Sequence, residues 1–314
     1  MKCRICGQKT PSKNLPVCPN CSRKEEVAEI AAELHRPFSD RVVKKCKLCS
    51  NECSGVPLCG KPDYGNLSYY EDPLPTNCCN SWFCRGSELY GVNLAVFYYG
   101  CNFDCLFCQN WSHKFIERAR KVEIGELLGA VSSRVRCICH FGGSPEPQLP
   151  FALKFSRKAM EKREDIMICW EWNGAGNKSL ALKAAELSWK SGGTVKFDLK
   201  AWNENLHLLL TGRSNERVKE NFIRIAENYP GVISATTLLV PHYIDEKEVE
   251  NIARFISSLN PEIPYSLLVF HPDYRLNDLP VTPLSQVKKC YEAAKKHLKR
   301  VNVGNLHLLG LNRF

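Results

Sequence analysis

From about residue 92 the chain alternates between two apolar rhythms. Short, nearly continuous apolar runs, "VNLAVFYYG", "RCICHFGG", "DIMICWEW", "GTVKFDLK", "GVISATTLLV" and "PYSLLVF", read as strands. Between them lie segments such as "SLALKAAELSWKS" and "DEKEVENIARFISSL", whose apolar positions recur with a helical period. Six such βα units predict a parallel sheet with right-handed crossovers. Six fall short of a closed eight-fold barrel, so an open doubly wound sheet and a partial barrel both fit. In either, functional groups belong at the C-terminal ends of strands. Upstream, the Ala- and Glu-rich "KEEVAEIAAELHR" predicts a helix joining an N-terminal segment to this body.

Composition adds limits. At 314 residues and 44% hydrophobic content the chain can bury a substantial core. No apolar run approaches the roughly 18 residues of a membrane span, and "MKCRICGQK" lacks the apolar stretch of a secretory signal. A soluble, cytoplasmic protein with no membrane partner is expected. The net charge is +10, and the first 60 residues carry eleven Lys and Arg against six acids. That basic excess lacks interleaved aromatics and is diluted by Glu25, Glu26, Glu29 and Glu33, so it reads as a solvated surface rather than a nucleic-acid interface.

The cysteines change the picture most. Eighteen of them in a chain without an export signal point to metal rather than disulfides. Cys3, Cys6, Cys18 and Cys21 form a CxxC…CxxC array suited to tetrahedral zinc. Cys46, Cys49, Cys53 and Cys59 follow, with enough sulfur to close a second site, either a zinc site or an auxiliary 4Fe-4S cluster. Cys78, Cys79 and Cys84 come next, while Cys137, Cys139, Cys169 and Cys290 read as small buried hydrophobes. The expected organisation is a zinc-knuckle-like segment with its linker helix over 1–40, a Cys-rich segment over 41–89, and a catalytic body over 90–314.

At the end of the first strand of that body stands "YYGCNFDCLFCQNW", with Cys101, Cys105 and Cys108 spaced CxxxCxxC. Three thiolates can hold a cubane 4Fe-4S cluster and leave one iron open to a ligand, as catalytic zinc sites keep a position for water. This loop resembles the cluster motif of the radical S-adenosylmethionine (SAM) superfamily, with Phe107 as the aromatic before the last cysteine. The resemblance runs over roughly residues 90 to 304 and is nearest to the pyruvate formate-lyase activating enzyme group. It implies a partial (β/α)6 barrel with a Cys-rich N-terminal extension. "FGGSPEPQLP" resembles the Gly-rich segment that binds the amino group of SAM, through Gly142 and Gly143; Ser144 replaces the usual acid, with Glu146 two places on. "WEWNG" offers Asn173, and "FDLKAW" offers Asp198 and Lys200, as contacts to SAM. "LLVFHPDYRL" adds His271 and Arg275 at the sixth strand end.

The resemblance implies an oxidoreductase-type enzyme that cleaves SAM reductively to a 5'-deoxyadenosyl radical and abstracts hydrogen from a protein or peptide, as in glycyl-radical activation. It would need a one-electron donor such as ferredoxin or flavodoxin. Two alternatives stand beside it: a radical SAM enzyme acting on a small molecule, and a metal-bound nucleic-acid or protein adaptor in which the cysteines are structural.

Overall fold

The computed structural model describes residues 1–35, 46–52, 65–76 and 78–314. Among the described residues nine strands build one sheet: β1 (Gly65–Pro73), β2 (Val92–Tyr98), β3 (Lys121–Val122), β4 (Val135–Gly142), β5 (Met167–Trp172), β6 (Val195–Asp198), β7 (Ile233–Leu239), β8 (Tyr265–Val269) and β9 (Val301–Gly304). Their order is β3-β1-β2-β4-β5-β6-β7-β8-β9. From β2 through β9 the pairing is parallel; β1 and β3 are added antiparallel at one edge. The helices are α1 (Val27–Leu34), α2 (Ile124–Gly129), α3 (Leu149–Lys162), α4 (Lys178–Ser191), α5 (Glu204–Thr211), α6 (Glu216–Asn228), α7 (Glu246–Leu259) and α8 (Leu284–Lys295).

All six apolar runs are strands. The seventh parallel strand, β9, escapes sequence reading because "VNVG" is too short to show a period. β1 escapes because its second half, "YYEDP", is largely exposed and reads as polar. Local chemistry fixes the helix ends. Asn177 caps α4 by accepting from the N–H groups of Ser179 and Leu180, and Gly192 ends it at φ 73°. Asp245 caps α7 through the N–H of Glu248.

The strand residues sort by face. Val195, Phe197, Ile168 and Trp170 are fully buried, and Trp170 donates its indole N–H to the Ala184 carbonyl of α4 at 2.9 Å. Burying side chains of this size stabilises by about 1.5–3 kcal/mol each. Residues of the opposite parity are polar: Asn93, Glu171, Lys196, Asp198, Ser234, Thr236, Ser266 and Asn302. The sheet curls around this polar side, because one cavity of about 550 Å³ is lined both by Tyr70 and Phe97 at the β1–β2 edge and by Leu268, Asn302 and Gly304 at the β8–β9 edge. That geometry is a partial barrel. Residues 78–88 run through it: Asn80 Nδ2 donates to Ser234 Oγ at 3.1 Å, and Trp82 Nε1 donates to Ser266 Oγ at 3.0 Å.

The N-terminal segment shares the core of the body. Leu15, Val17 and Val27 are fully buried in the same apolar cluster as the outer faces of the strands. Tyr243 donates its hydroxyl to the Val17 carbonyl at 2.8 Å, and Arg23 pairs with Asp245 and Glu248 at 2.9 and 3.1 Å. No helix among the described residues is long and apolar enough to cross a membrane.

Candidate functional site

The loop after β2 is pinned by its backbone. Gly100, at φ 82°, donates its N–H to His113 at 2.7 Å; Asp104 and Leu106 donate theirs to Thr211 and Leu210, each at 2.9 Å. The N–H of Arg275, beyond β8, reaches the Leu106 carbonyl at 3.0 Å, so the two ends of the barrel clasp this loop. Cys101, Cys105 and Cys108 all line a cavity of about 170 Å³ at the C-terminal strand ends. Burial raises all three thiol pKa values, and at Cys105, pushed up to about 11, the ammonium groups of Lys200 and Lys114 act against that rise. Lys114 is itself buried and donates to Asp104 Oδ1 at 2.8 Å and to the Cys105 carbonyl at 3.2 Å. Two cations thus stand ready to offset thiolate charge where water cannot.

Gly142 and Gly143 close the opposite wall. Gly142 sits at φ 111°, and a Cβ there would come 2.6 Å from the Tyr98 nitrogen; one on Gly143 would come 2.5 Å from the Gly100 carbonyl oxygen. Only glycine lets this loop lie directly on the cysteine loop, where Gly143 and Ser144 donate N–H groups to Tyr98 and Gly100 at 2.8 and 3.1 Å. Ser144 lines the cavity, whereas Glu146 lies behind it, fully buried. Glu146 accepts from the Ser144 hydroxyl and, at 2.7 Å, from the N–H of Gly174. Burial pushes its pKa up to about 7 against these donors. The acid two residues late therefore braces the Gly-rich loop against the end of β5. Asn173, at that end, donates to Asn102 Oδ1 at 2.6 Å and to Ser144 Oγ at 3.1 Å, which ties three strand ends into one wall.

The third wall is ionic. Asp198 takes Lys200 at 2.9 Å and Lys196 at 3.3 Å, and Lys196 also holds Glu171 at 2.8 Å. Burial would raise the Asp198 pKa, but the two ammonium groups hold it down at about 2. Lys200 also lies 5.7 Å from the ring centroid of Phe107. Asp198 can accept from a ribose hydroxyl or an ammonium, and Lys200 can pair a carboxylate.

One cavity therefore gathers Cys101, Cys105, Cys108, Phe107, Gly142, Gly143, Ser144, Asn173, Asp198 and Lys200. His271 is exposed and does not line it. Arg275 donates instead to the Leu34 carbonyl of α1. Cys3, Cys6, Cys18 and Cys21 form a separate group with all four sulfurs within 4.8 Å of one another. Cys46 and Cys49 are buried, while Cys53 and Cys59 lie outside the described residues. Lys114, Glu171 and Lys196 line the same cavity as the cysteine loop, but the motifs recognised in the sequence give them no role. The last two carried a signal, a charge at every second position of "WEW" and "VKFD", which marks a polar inner face.

A cysteine loop without a fourth thiol, backed by buried cations and facing an open cavity at the strand ends of a partial barrel, fits an iron–sulfur cluster held through three cysteines. Residues 95–256 match the radical SAM superfamily, and the chain belongs to it. It is accordingly an enzyme and not an adaptor with structural metal. The isethionate sulfite-lyase activating enzyme of Desulfovibrio desulfuricans is 37% identical over 261 residues, covering 81% of this chain and 73% of that protein. A Methanocaldococcus jannaschii protein provisionally named a glycyl-radical enzyme activating enzyme is 26% identical, covering 67% of this chain and 79% of its own length. An uncharacterized protein of the same organism is 27% identical over 68% of this chain, and the match spans 63% of that relative's length.

Proposed function

We propose that this chain is an activating enzyme that binds a 4Fe-4S cluster and SAM and takes a hydrogen atom from a glycine of a partner protein. The observation that carries this is the single cavity in which the three thiols meet the Gly142–Gly143 loop, Asn173 and the Asp198–Lys200 pair. Cys101, Cys105 and Cys108 would hold the cluster, which when reduced would supply the electron for cleaving bound SAM. The backbone carbonyls of the Gly-rich loop and Ser144 orient the amino group of SAM, Lys200 its carboxylate, and Asn173 and Asp198 its ribose. Phe103, Phe107, Phe141 and Trp172, the aromatic part of the lining, shield the reacting atoms from water. A one-electron donor such as ferredoxin or flavodoxin supplies the reducing equivalent. The N-terminal four-cysteine group holds zinc as a structural staple, because four thiols so close satisfy a closed tetrahedral site.

Names of relatives point to a lyase of the glycyl-radical type as substrate. The cavity of about 550 Å³ beside the cluster favours keeping a small-molecule substrate as the second reading. Mixing the anaerobically reconstituted, reduced chain with SAM and an isethionate sulfite-lyase separates them. Formation of 5'-deoxyadenosine together with a glycyl-radical doublet by electron paramagnetic resonance supports activation. No protein radical, and 5'-deoxyadenosine formed no faster than with SAM alone, excludes this lyase as the substrate and leaves the small-molecule reading.

A further inference from the structure

Inside the barrel, apart from the cysteine loop, two thiols and a carboxylate converge. Cys78 and Cys79 are adjacent in sequence, yet both sulfurs and a carboxylate oxygen of Glu171 lie within 4.8 Å of one another. We propose that Cys78, Cys79 and Glu171 bind one divalent cation of borderline softness, zinc, with its fourth position open to the cavity of about 550 Å³ that all three residues line.

Several independent features support this. Cys78 Sγ stands 2.9 Å from Glu171 Oε1, while Glu171 Oε2 accepts from Lys196 at 2.8 Å, so the carboxylate offers one oxygen to the ion and anchors the other. The N–H of Asn80 points at Cys78 Sγ from 3.3 Å, and the Thr236 hydroxyl lies 3.6 Å from Cys79 Sγ, both placed to support thiolates. The loop is held to the sheet before any ion arrives: Asn80 bonds Ser234 of β7, and Ser266 of β8 donates to the Cys79 carbonyl at 3.0 Å. Charge also balances. With the ion bound and both thiols ionised, four negative groups (Cys78, Cys79, Glu171 and Asp198) face zinc, Lys196 and Lys200, which together carry four positive charges.

The open position faces a chamber that shares Glu171, Lys196, Phe141, Gln109 and Asn110 with the cluster cavity. An anionic or sulfur-bearing group of a substrate bound at this ion would therefore lie beside the place where hydrogen is abstracted. The assignment is independent of whether that substrate is a protein or a small molecule.

The test is a metal count on the full, cluster-loaded chain, equilibrated anaerobically with zinc and passed through a desalting column. Wild-type chain should retain one zinc ion more than Cys78→Ser/Cys79→Ser, with iron unchanged between them. Glu171→Gln keeps size and the Lys196 contact, and should weaken retention of that ion by about tenfold or more in competition with a chromophoric chelator. Should the double variant fail to fold, Glu171→Gln alone decides. Equal zinc content and equal retention in folded Glu171→Gln overturn the site, as does a native chain in which Cys78 and Cys79 are found joined as a disulfide by mass.

Discussion

Glu146 gives the most quantitative forecast. It is fully buried, its two oxygens serve Ser144 and Gly174, and its pKa rises from 4.5 to about 7 because burial disfavours the charge more than those donors favour it. The gap corresponds to about 3 kcal/mol. Below about pH 4.5 the carboxyl is protonated in both folded and unfolded chain, so the group costs nothing there. As pH rises towards 7 the unfolded chain gives up its proton first, stability falls, and above about pH 7 the full cost is present. Glu146→Gln keeps an acceptor for the Gly174 N–H and a partner for Ser144 but never ionises. The variant should therefore gain on wild type by roughly 3 kcal/mol between about pH 4.5 and 8. Anaerobic urea unfolding of both proteins across that range, followed by tryptophan fluorescence, measures the difference, and pH effects common to both cancel. A difference that does not change with pH would refute the placement of Glu146 behind the loop.

Other forecasts follow from the same geometry. Gly143→Ala puts a methyl 2.5 Å from a backbone oxygen and should weaken SAM binding by about tenfold or more while the cluster still assembles; unchanged binding by equilibrium dialysis would contradict the close approach of the two loops. Lys114→Met removes the ammonium that stands 2.8 Å from fully buried Asp104 and should cost about 3–5 kcal/mol, with part regained in Lys114→Met/Asp104→Asn, as a thermal-denaturation cycle would show. Cys3→Ser or Cys21→Ser should lower thermal stability and leave SAM cleavage largely intact, because a closed thiolate site contributes folding energy; loss of cleavage in a folded variant would say otherwise.

The parallel sheet was legible because its strands present nearly unbroken apolar runs, and the cysteine loop because its spacing falls where such a strand ends. The walls of the cavity were legible as residues but not as an arrangement: Ser144 faces the cavity and Glu146 does not, which depends on how the loop lies on Gly100. His271 stands at a strand end yet is exposed, since strand-end position alone does not set side-chain direction. Cys137, Cys139 and Cys169 are buried as their apolar setting suggests, but sequence could not show that they collect with Cys84 at one small cavity inside the barrel. Contacts between residues 78–88 and the strands span about ninety to nearly two hundred positions, a separation that leaves no local pattern.

The central claim is that Cys101, Cys105 and Cys108 hold the cluster that cleaves SAM. Chain reconstituted anaerobically with iron and sulfide, reduced with dithionite and given SAM should release 5'-deoxyadenosine and methionine. Cys101→Ala, Cys105→Ala and Cys108→Ala should each release none. Full cleavage in any one of these three variants, or no cleavage by a fully reconstituted wild-type chain, would contradict the account.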